Sequence, residues 1–411
     1  MKKKYLLGVM LLPLFSACSS DEPDGVNPEI CPGAPVLTLT VEESRAAGQM
    51  QGFNLAFFKA VNEEAHADKN VVCSPLSASI LLSMLANIAD EASASEIASA
   101  LGSMDVDVLN SLNRKYMGVL PSVDPSVNMA LANSVWYQKS LTLNKAFADK
   151  AKEFYDTENF SVDFKNEGAA VKDMINNWVK DETKGLITEI LGGIEENVVA
   201  VLANAMYFKG LWANPFDADR TTKKEFHGAN GASVSVDMMY NDGLQHYVYH
   251  DDFQAVKMEF GNGVYEAVLV LPAEGVDIND FICGDALKSL PKARFTDCKV
   301  ELSFPRFSIL PDEDVKLRKP LERLGIKSLF KPQGISLFSE TIEAAIALSQ
   351  KVTVEFTEKG AEGASVTWSE VFGSTDKPVA TPHMNFNRPF VFFINETTTG
   401  AVLFAGKIVE I

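Results

Sequence analysis

Cysteine and histidine, the residues that build disulfide scaffolds and metal sites, are scarce in this chain: five of each occur in 411 residues. Five cysteines are too few to cross-link a chain of this length. No C-x-x-C or H-E-x-x-H spacing occurs, so we expect no metal and no other cofactor. His246 and His250 have a helical spacing, but they lie in an alternating aromatic stretch, Gln245–His250, that favours a strand over a pair of ligands.

Sequence signatures of common enzyme sites are missing as well. There is no G-x-S-x-G elbow, no Walker loop and no dinucleotide fingerprint in a β-α-β context. A Ser–His–Asp triad could still be assembled from distant positions, because triads are defined by geometry, but five histidines leave few candidates. We therefore expect a protein that is not an enzyme, with an unrecognised hydrolase as the weaker alternative.

Positive charge is in short supply. The formal net charge is −18 and becomes −21 if the three lysines of the first segment are removed. Such a surface repels phosphate backbones, so nucleic acid is not an expected partner. The hydrophobic content of 46% is that of a globular protein. Without internal repeats or a second long linker, residues 48–411 are predicted to form one monomeric domain.

The N-terminal segment has the organisation of a signal peptide. Lys2, Lys3 and Lys4 precede an apolar run, Tyr5–Phe15, that is too short for a permanent membrane span. Ser16, Ala17 and Cys18 then resemble a lipobox, in which Cys18 is acylated and becomes the first mature residue, although Phe15 stands where Leu is usual. The alternative is an ordinary signal peptide, 1–17, with Cys18 incidental.

Residues 18–47 are predicted to be an acidic, proline-rich tether without regular structure. Ser19–Glu22 resembles the export signal that sends lipoproteins of the Bacteroidetes to the outer face of the outer membrane, though acidic residues in a linker also simply solvate it. We expect a lipoprotein of the outer membrane that contacts the membrane through its lipid, and leave periplasmic and surface exposure open.

The periodicity of the remaining chain favours an α+β fold, with helices early and strands late. Helices are predicted around Phe53–Val61, from Ser74 as N-cap with Pro75 at the first position, and over 144–156 and 169–183. Strands are predicted at 200–208, 267–271, 299–309, 352–356, 390–394 and 401–409. Cys31 falls in the tether, Cys73 is interpreted as a small buried residue, and pairing of Cys283 with Cys298 is left open.

Four segments in order resemble the serpin family, and together they span nearly the whole body. They are Asn70–Ser77, Asn204–Trp212 followed by Pro215 and Phe216, Lys319–Phe330, and Phe386–Ile394. The resemblance implies an α+β fold of three β-sheets with surrounding helices and an exposed reactive loop at about 358–382.

The loop region can also be interpreted from its residues. Glu358, Lys359 and Gly360 form a polar turn after a strand. From residue 361 onward, large and charged side chains occupy alternate positions. One face consists of Ala361, Gly363, Ser365, Thr367, Ser369 and Val371, and the other of Glu362, Ala364, Val366, Trp368 and Glu370. The loop is thus patterned to become a strand with one buried face, whereas the alternative is an idle flexible loop.

The resemblance implies an irreversible suicide inhibitor of serine and cysteine endopeptidases. In that mechanism a protease cuts the loop and forms an acyl-enzyme, and the loop then inserts into the central sheet before deacylation. A non-inhibitory serpin that acts as a binding protein is the main alternative, but it would carry bulky or charged residues on the inserting face.

The resemblance also assigns residues to a hinge and a gate. The hinge consists of Glu358, Gly360, Ala361, Glu362, Gly363, Ala364 and Ser365, and the gate of Ser74, Ser77, Asn204, Trp212 and Gln350. Two positions depart from the family pattern. Ala361 replaces a usual Thr or Ser, and Gln350 replaces the His that in many serpins bonds across the gate to the residue equivalent to Asn204.

The scissile bond is less well defined. Counting from Glu358 by the family spacing puts it after Ser374, whereas counting back from Pro389 puts it near Pro378. The candidates are Val371, Phe372, Gly373, Ser374 and Thr375. Phe372 would suit chymotrypsin-like proteases and Val371 elastase-like ones, while Pro378 after Lys377 disfavours trypsin-like targets.

Overall fold

The computed structural model describes residues 35–185, 188–194, 198–309, 315–340, 348–350, 352–360 and 381–411. The predicted signal peptide, Cys18 and most of the predicted tether lie outside these ranges. The predicted loop from Ala361 to residue 380 lies outside them too.

Helices are concentrated in the first half of the described chain. They are α1 (Val41–Glu64), α2 (Pro75–Ala86), α3 (Glu91–Ala100), α4 (Val106–Val119), α5 (Lys145–Tyr155), α6 (Phe164–Glu182), α7 (Ile278–Cys283), α8 (Ala286–Ser289) and α9 (Arg318–Arg323). Short 3-10 turns occupy Leu120–Ser122, Ala218–Arg220, Leu290–Lys292 and Ser328–Phe330.

Strands dominate the second half. They are β1 (Val71–Cys73), β2 (Val127–Gln138), β3 (Glu158–Val162), β4 (Ala200–Gly210), β5 (Thr222–His227), β6 (Ser233–Asn241), β7 (Leu244–His250), β8 (Phe253–Phe260), β9 (Tyr265–Pro272), β10 (Thr296–Lys299), β11 (Glu301–Pro305), β12 (Phe307–Ile309), β13 (Val315–Lys316), β14 (Ser349–Gln350), β15 (Val354–Phe356), β16 (His383–Asn385), β17 (Phe390–Glu396) and β18 (Val402–Ile408). The predicted α+β class is confirmed.

The strands form sheets of very different size. A seven-stranded sheet has the order β1-β18-β17-β9-β8-β7-β10, a four-stranded sheet the order β16-β11-β6-β5, and a three-stranded sheet the order β3-β2-β4. Two short antiparallel ladders, β12–β15 and β13–β14, complete the pairing. In the three-stranded sheet β2 runs antiparallel to β4 from Val127 opposite Gly210 to Tyr137 opposite Ala200.

Helix α2 lies between two of these sheets, against β18 of the seven-stranded sheet and β4 of the three-stranded one. All of its residues are buried. A helix buried on every side must be apolar or small on every side, which explains its run of Ala, Ser, Leu, Ile and Met without a charged residue. The predicted start is confirmed: the Ser74 hydroxyl accepts from Ser77 N–H, and Pro75 opens the first turn.

The predicted tether is wrong in its last part, because α1 begins at Val41 rather than after Ala47. A capping box fixes this start: Glu43 N–H donates to Thr40 Oγ1 (3.2 Å), and Thr40 N–H donates to Glu43 Oε2 (2.7 Å). Ala46 and Ala47 are buried against the body. The T-x-x-E signal was present in the sequence but was outweighed by the polar composition of the segment before it.

The late segment Lys319–Phe330 is not one helix. Helix α9 ends at Arg323, and a separate 3-10 turn follows at Ser328–Phe330. Gly325 between them has φ +92°, a left-handed conformation that ends a helix and that glycine adopts without strain.

The question of cysteine pairing is answered within the described residues. Cys73, Cys283 and Cys298 are all free thiols, so Cys283 and Cys298 do not pair. Cys73 is buried as predicted, and burial raises the pKa of its thiol.

His246 and His250 lie in β7 as predicted. In the part of the chain described here, no group of His, Cys, Asp or Glu is arranged to hold a metal, and no helix combines the length and apolarity needed to cross a membrane.

A fully buried lysine ties β18 to the end of α1. Lys407 Nζ donates to the carbonyl oxygens of His66 (3.4 Å) and Ala67 (3.2 Å) and to Asn279 Oδ1 (2.9 Å). These carbonyls belong to the turn that follows α1, so the ammonium holds that turn against β18. Burial lowers the pKa of Lys407 from 10.5 to about 8.

The lowered pKa of Lys407 predicts that the free energy of unfolding rises with pH between about 8 and 10.5. In that window the unfolded lysine still binds a proton that the folded one has released, so raising the pH favours the folded state. Lys407→Met should remove this rise, which is worth roughly 3 kcal/mol, as measured by urea unfolding at several pH values. Lys145→Met, at an exposed lysine, should keep it. Equal slopes for the parent and Lys407→Met would contradict the prediction.

Candidate functional site

The upper end of β4 meets the chain that leads into the predicted loop. Leu211, just beyond β4, forms a β-bridge with Gly360. Trp212 N–H donates to Lys359 O (3.1 Å), and its indole Nε1 donates to Thr357 O (3.0 Å). The indole stacks on Phe260 with centroids 4.2 Å apart and on Phe356 at 5.9 Å. Trp212 therefore joins β4, β8 and β15 at the position that the sequence assigned to the gate.

Gly360 is required by the geometry of this junction. Its φ is +97°, and a Cβ added there would lie 2.2 Å from Gly210 O and 2.7 Å from Trp212 N. The turn that precedes it is closed by hydrogen bonds in both directions between Thr357 and Gly360 (3.2 Å each). The predicted turn is present, and its glycine allows two backbones to approach closely.

Glu358 anchors the hinge turn through hydrogen bonds from Arg306 and Thr221. Arg306 Nε donates to Glu358 Oε2 (3.0 Å), Arg306 Nη2 donates to Oε1, and the Thr221 hydroxyl donates to Oε1 (2.8 Å). Although burial alone raises the pKa of Glu358, the hydrogen bonds from Arg306 and Thr221 outweigh it and lower the pKa below 4.5. The carboxylate is thus ionised and held by a forked guanidinium at neutral pH.

Arg306 was not identified from the sequence. It lies between β11 and β12, far along the chain from Glu358, and it also approaches Asp237 (3.7 Å). A single Arg before an apolar strand carries no local sign that it reaches a carboxylate on another segment.

Four of the five predicted gate residues meet at the start of α2. Ser74 is bonded to Gln350, and its hydroxyl lies 3.7 Å from Met206 Sδ in β4. The Ser77 hydroxyl donates to Asn204 Oδ1, also in β4. Because Gln350 belongs to β14, the first turn of α2 contacts strands on both sides of the edge of β4. Trp212 makes a similar link beyond the end of β4, where it contacts Phe260 of β8 and Thr357 just after β15.

Gln350 does not bond as the resemblance implied. Ser74 N–H donates to Gln350 Oε1 (2.7 Å), and Gln350 Nε2 donates to Ser74 O (3.0 Å), so its described partners are the backbone groups of Ser74 rather than Asn204. A primary amide carries a donor and an acceptor side by side, which matches the N–H and C=O of one residue.

Asn133 is a member of this network that the sequence did not reveal. Asn204 Nδ2 donates to Asn133 Oδ1 (2.7 Å), and Asn133 Nδ2 donates to Tyr155 O at the end of α5 (2.9 Å). Asn133 is 1% exposed and lies opposite Asn204 in the β2–β4 ladder. The sequence offered no clear signal for it, because β2 also contains Asn128, Ser134 and Gln138, and the burial of Asn133 depends on its partners.

The other predicted site residues lie outside the described residues: Ala361, Glu362, Gly363, Ala364 and Ser365 of the hinge, all scissile candidates, and Cys18. For the alternative of a hydrolase, His227 contacts Ser233 (2.8 Å), while His246, His250 and His383 each contact a carboxylate. The described contacts do not join a Ser, a His and an acid in one array.

The anchoring of Glu358 predicts that Glu358→Gln lowers the free energy of unfolding by roughly 1–2 kcal/mol at neutral pH, a value reduced because Arg306 is partly exposed. The difference from the parent should shrink as the pH falls below 4.5, because the parent carboxylate is protonated there and loses the same stabilisation. Thermal unfolding of both proteins across pH checks this.

Glu355→Gln is the matched control, since Glu355 is an exposed carboxylate three residues away on β15. It should leave the transition temperature nearly unchanged. A drop as large as that of Glu358→Gln would show that charge in general, and not the Arg306 contact, matters at this place.

Comparisons with known proteins agree with this arrangement. A family model described as Serpin (serine protease inhibitor) matches residues 49–411. Serpin-ZXA of Oryza sativa subsp. japonica is 30% identical over 391 residues, which cover 87% of this chain and 95% of that protein. Plasminogen activator inhibitor 1 of Neovison vison is 29% identical, with 90% of this chain and 94% of that protein covered.

Among solved structures, human thyroxine-binding globulin has a TM-score of 0.79 at 25% identity, with 90% of this chain and 99% of that chain covered. Relatives of this fold thus include proteins named as protease inhibitors and one named for binding a small molecule. With the family model covering the body from end to end, the chain belongs to the serpin family, most of whose members inhibit proteases.

Proposed function

We propose that this protein is an irreversible suicide inhibitor of serine or cysteine endopeptidases that acts by loop cleavage and insertion. The observation that carries the proposal is the junction between the end of β4 and the hinge turn. Within the described residues, β4 pairs with β2 along one edge from Ala200 to Gly210, and the described pairing on its other side is the single bridge from Leu211 to Gly360.

The position of Gly360 indicates the end of β4 at which an inserted strand would begin. Gly360 lies beside Leu211, at the end of β4, and Ser74 and Trp212 contact Gln350 of β14 and Thr357 just after β15. A segment that continues from Gly360 along β4 would lie between β4 and these strands. As an inserted strand, it would form ladder hydrogen bonds with β4.

The sequence after Gly360 suits that position. Its inserting face from Ala361 to Val371 carries no charge and no side chain larger than Val, as a strand packed on a buried helix requires. Each new ladder hydrogen bond contributes about 0.5–1.5 kcal/mol, so ten or more, with side-chain burial, give a driving force on the order of 10 kcal/mol. The native state is then a kinetically trapped one.

The targets that we propose are chymotrypsin- or elastase-like proteases, on the basis of Phe372 and Val371. We further propose that the protein is a monomeric outer-membrane lipoprotein held by a lipid on Cys18. Its targets would then be proteases met at or near the cell surface.

One observation favours the second candidate, a non-inhibitory binding protein. A cavity of about 270 Å³ lies between α1 and the strands β8, β9 and β17, with Leu55, Val268 and Phe393 in its wall. Lys257 in the same wall pairs with Glu266 (2.8 Å) and lies over the ring of Phe295 (5.0 Å). The related thyroxine-binding globulin is known in complex with thyroxine. Such a protein would be cleaved in its loop without trapping the protease.

The insertion mechanism predicts opposite results for two neighbouring substitutions. Ala361→Arg places a guanidinium on the inserting face, where burial without a partner costs several kcal/mol and slows insertion about tenfold per 1.4 kcal/mol. This variant should be cut by chymotrypsin without forming a detergent-stable complex on a gel. Glu362→Arg, on the solvent face of the inserted strand, should trap the protease as well as the parent.

Sequencing of the released fragment locates the cut, which we expect before Gly373. If both variants trap protease as the parent does, insertion is not the mechanism. If the parent itself is cut without forming a covalent complex on the gel, a non-inhibitory binding protein becomes the better-supported function.

The lipid anchor is tested separately. Cys18→Ala removes the thiol that would be acylated, so the protein should move from the membrane fraction to the soluble fraction after cell disruption. Ser19→Ala, at the adjacent position, is the control and should stay with the membranes. Unchanged fractionation of Cys18→Ala would remove the lipoprotein proposal, and protection from protease added to whole cells would indicate a periplasmic location.

A further inference from the structure

We propose that Asn230 is a site of spontaneous deamidation, in which the backbone nitrogen of Gly231 displaces the side-chain amide, and that the isoaspartate formed there loosens the turn between β5 and β6. The sequence holds two Asn–Gly pairs, Asn230–Gly231 and Asn262–Gly263. Glycine after asparagine favours this reaction, because no Cβ hinders the approach of the backbone nitrogen to the side chain. The inference does not depend on the proposed function.

The turn that contains Asn230 brings the reacting groups together. Ala232 N–H donates to Asn230 Oδ1 (2.9 Å), an Asx turn that folds the side chain back over the next two residues. Gly231 has φ +79° and is exposed, and a Cβ added there would meet no heavy atom within 4 Å. Its N–H donates to Gly228 O (3.0 Å), so this bond must open before the nitrogen can attack. The side chain therefore already lies beside the nitrogen that attacks it, at an exposed site.

The reaction needs only water and a base from the solvent. The Gly231 nitrogen gives its proton to that base and forms a bond to Asn230 Cγ. The Cγ–Nδ2 bond breaks, and the amide nitrogen takes up a proton and leaves as ammonia. Water then opens the succinimide ring at either of its carbonyls, which yields aspartate or isoaspartate. Both products add a negative charge, and isoaspartate also adds a methylene group to the main chain.

Asn262 precedes a glycine too, but other elements hold it in place. Its Nδ2 donates to Val123 O (3.2 Å), and its backbone N–H donates to Asp124 Oδ2 (2.9 Å). The Thr397 hydroxyl donates to Gly263 O (3.1 Å) on the other side of the turn. The carboxylate of Asp124 also disfavours the negative charge that develops on the attacking nitrogen. The two pairs therefore share a sequence and differ in their surroundings.

The end of the chain contacts the turn that Asn230 closes. Ala229 N–H donates to Val409 O (3.1 Å), and a Cβ added at Gly228 would lie 3.0 Å from the same oxygen. Isoaspartate lengthens the main chain of this closely packed turn and displaces the oxygen that accepts from Ala232. The modified turn should therefore hold Val409 less tightly.

Incubation of the purified full-length protein at mildly alkaline pH, followed by trypsin digestion and mass spectrometry, measures both sites in one sample. Cleavage after Lys224, Lys257 and Lys288 puts the two pairs on different peptides. Asn230 should gain about 1 Da at least about tenfold faster than Asn262, because attack at Asn262 requires two further hydrogen bonds to open. In urea the two rates should become nearly equal, since the unfolded chain keeps only the shared Asn–Gly sequence.

Hydrogen exchange of the Ala229 amide tests the effect on the turn. The isoaspartate form, purified by ion exchange, should exchange this amide at least about fivefold faster than the parent. Asn230→Asp is the matched control, because it adds the same charge with an unaltered main chain, and it should exchange as the parent does. Asn230→Gln should remove the mass change at this turn, since a longer side chain forms the ring far more slowly.

Three results would overturn the inference. Equal rates at Asn230 and Asn262 in the folded protein would show that the two turns do not differ in reactivity. An unmodified Asn230 in the folded protein, with reaction in urea, would show that the turn protects it. An unchanged exchange rate of Ala229 in the isoaspartate form would show that the turn is not loosened.

Discussion

A long strand edge beside a buried helix is the constraint on which the rest of this structure depends. Exposed edges invite pairing with any extended chain, and proteins normally cover, shorten or charge them. In the described residues, β4 pairs with β2 on one edge, and its other side meets the hinge turn through the bridge from Leu211 to Gly360. The edge is instead bounded at its upper end by Trp212 and held from beneath by the first turn of α2.

The use of small hydroxyl and amide groups beneath the sheet follows from that role. Apolar side chains at the same places would bury area without fixing the strands at one separation, since hydrophobic contact is not directional. Hydrogen bonds such as those of Ser77 and Asn204 hold at one distance and fail when the strands separate. The contact between helix and sheet is thereby made stable in one position and weak in others, which a sheet that must open requires.

Local signals in the sequence predicted the parts of the fold that depend on local chemistry. Ser74 followed by Pro75 fixed the start of α2, and the glycine of the hinge turn was recognised as necessary. The strand β2 was missed, because Asn133 and Ser134 interrupt its alternation. Asn133 donates to Tyr155 O at the end of α5, and Ser134 accepts from the indole of Trp136 two residues along the same strand. The bonds of Gln350 and Glu358 were likewise beyond reach, since their partners are set by the packing of whole elements.

The gate also joins parts of the chain that are remote in sequence. Asn133 and Asn204 are 71 positions apart, Ser77 and Asn204 are 127 apart, and Ser74 and Gln350 are 276 apart. Contacts of such high contact order form slowly, because the entropy of closing long loops is lost before they contribute. During folding, β2 and β4 can pair as soon as residues up to Gly210 are available, whereas β14 is fixed only when the last third of the chain has been added. A newly made chain therefore passes through a stage in which β2 and β4 are paired but the gate contact between Ser74 and Gln350 has not formed.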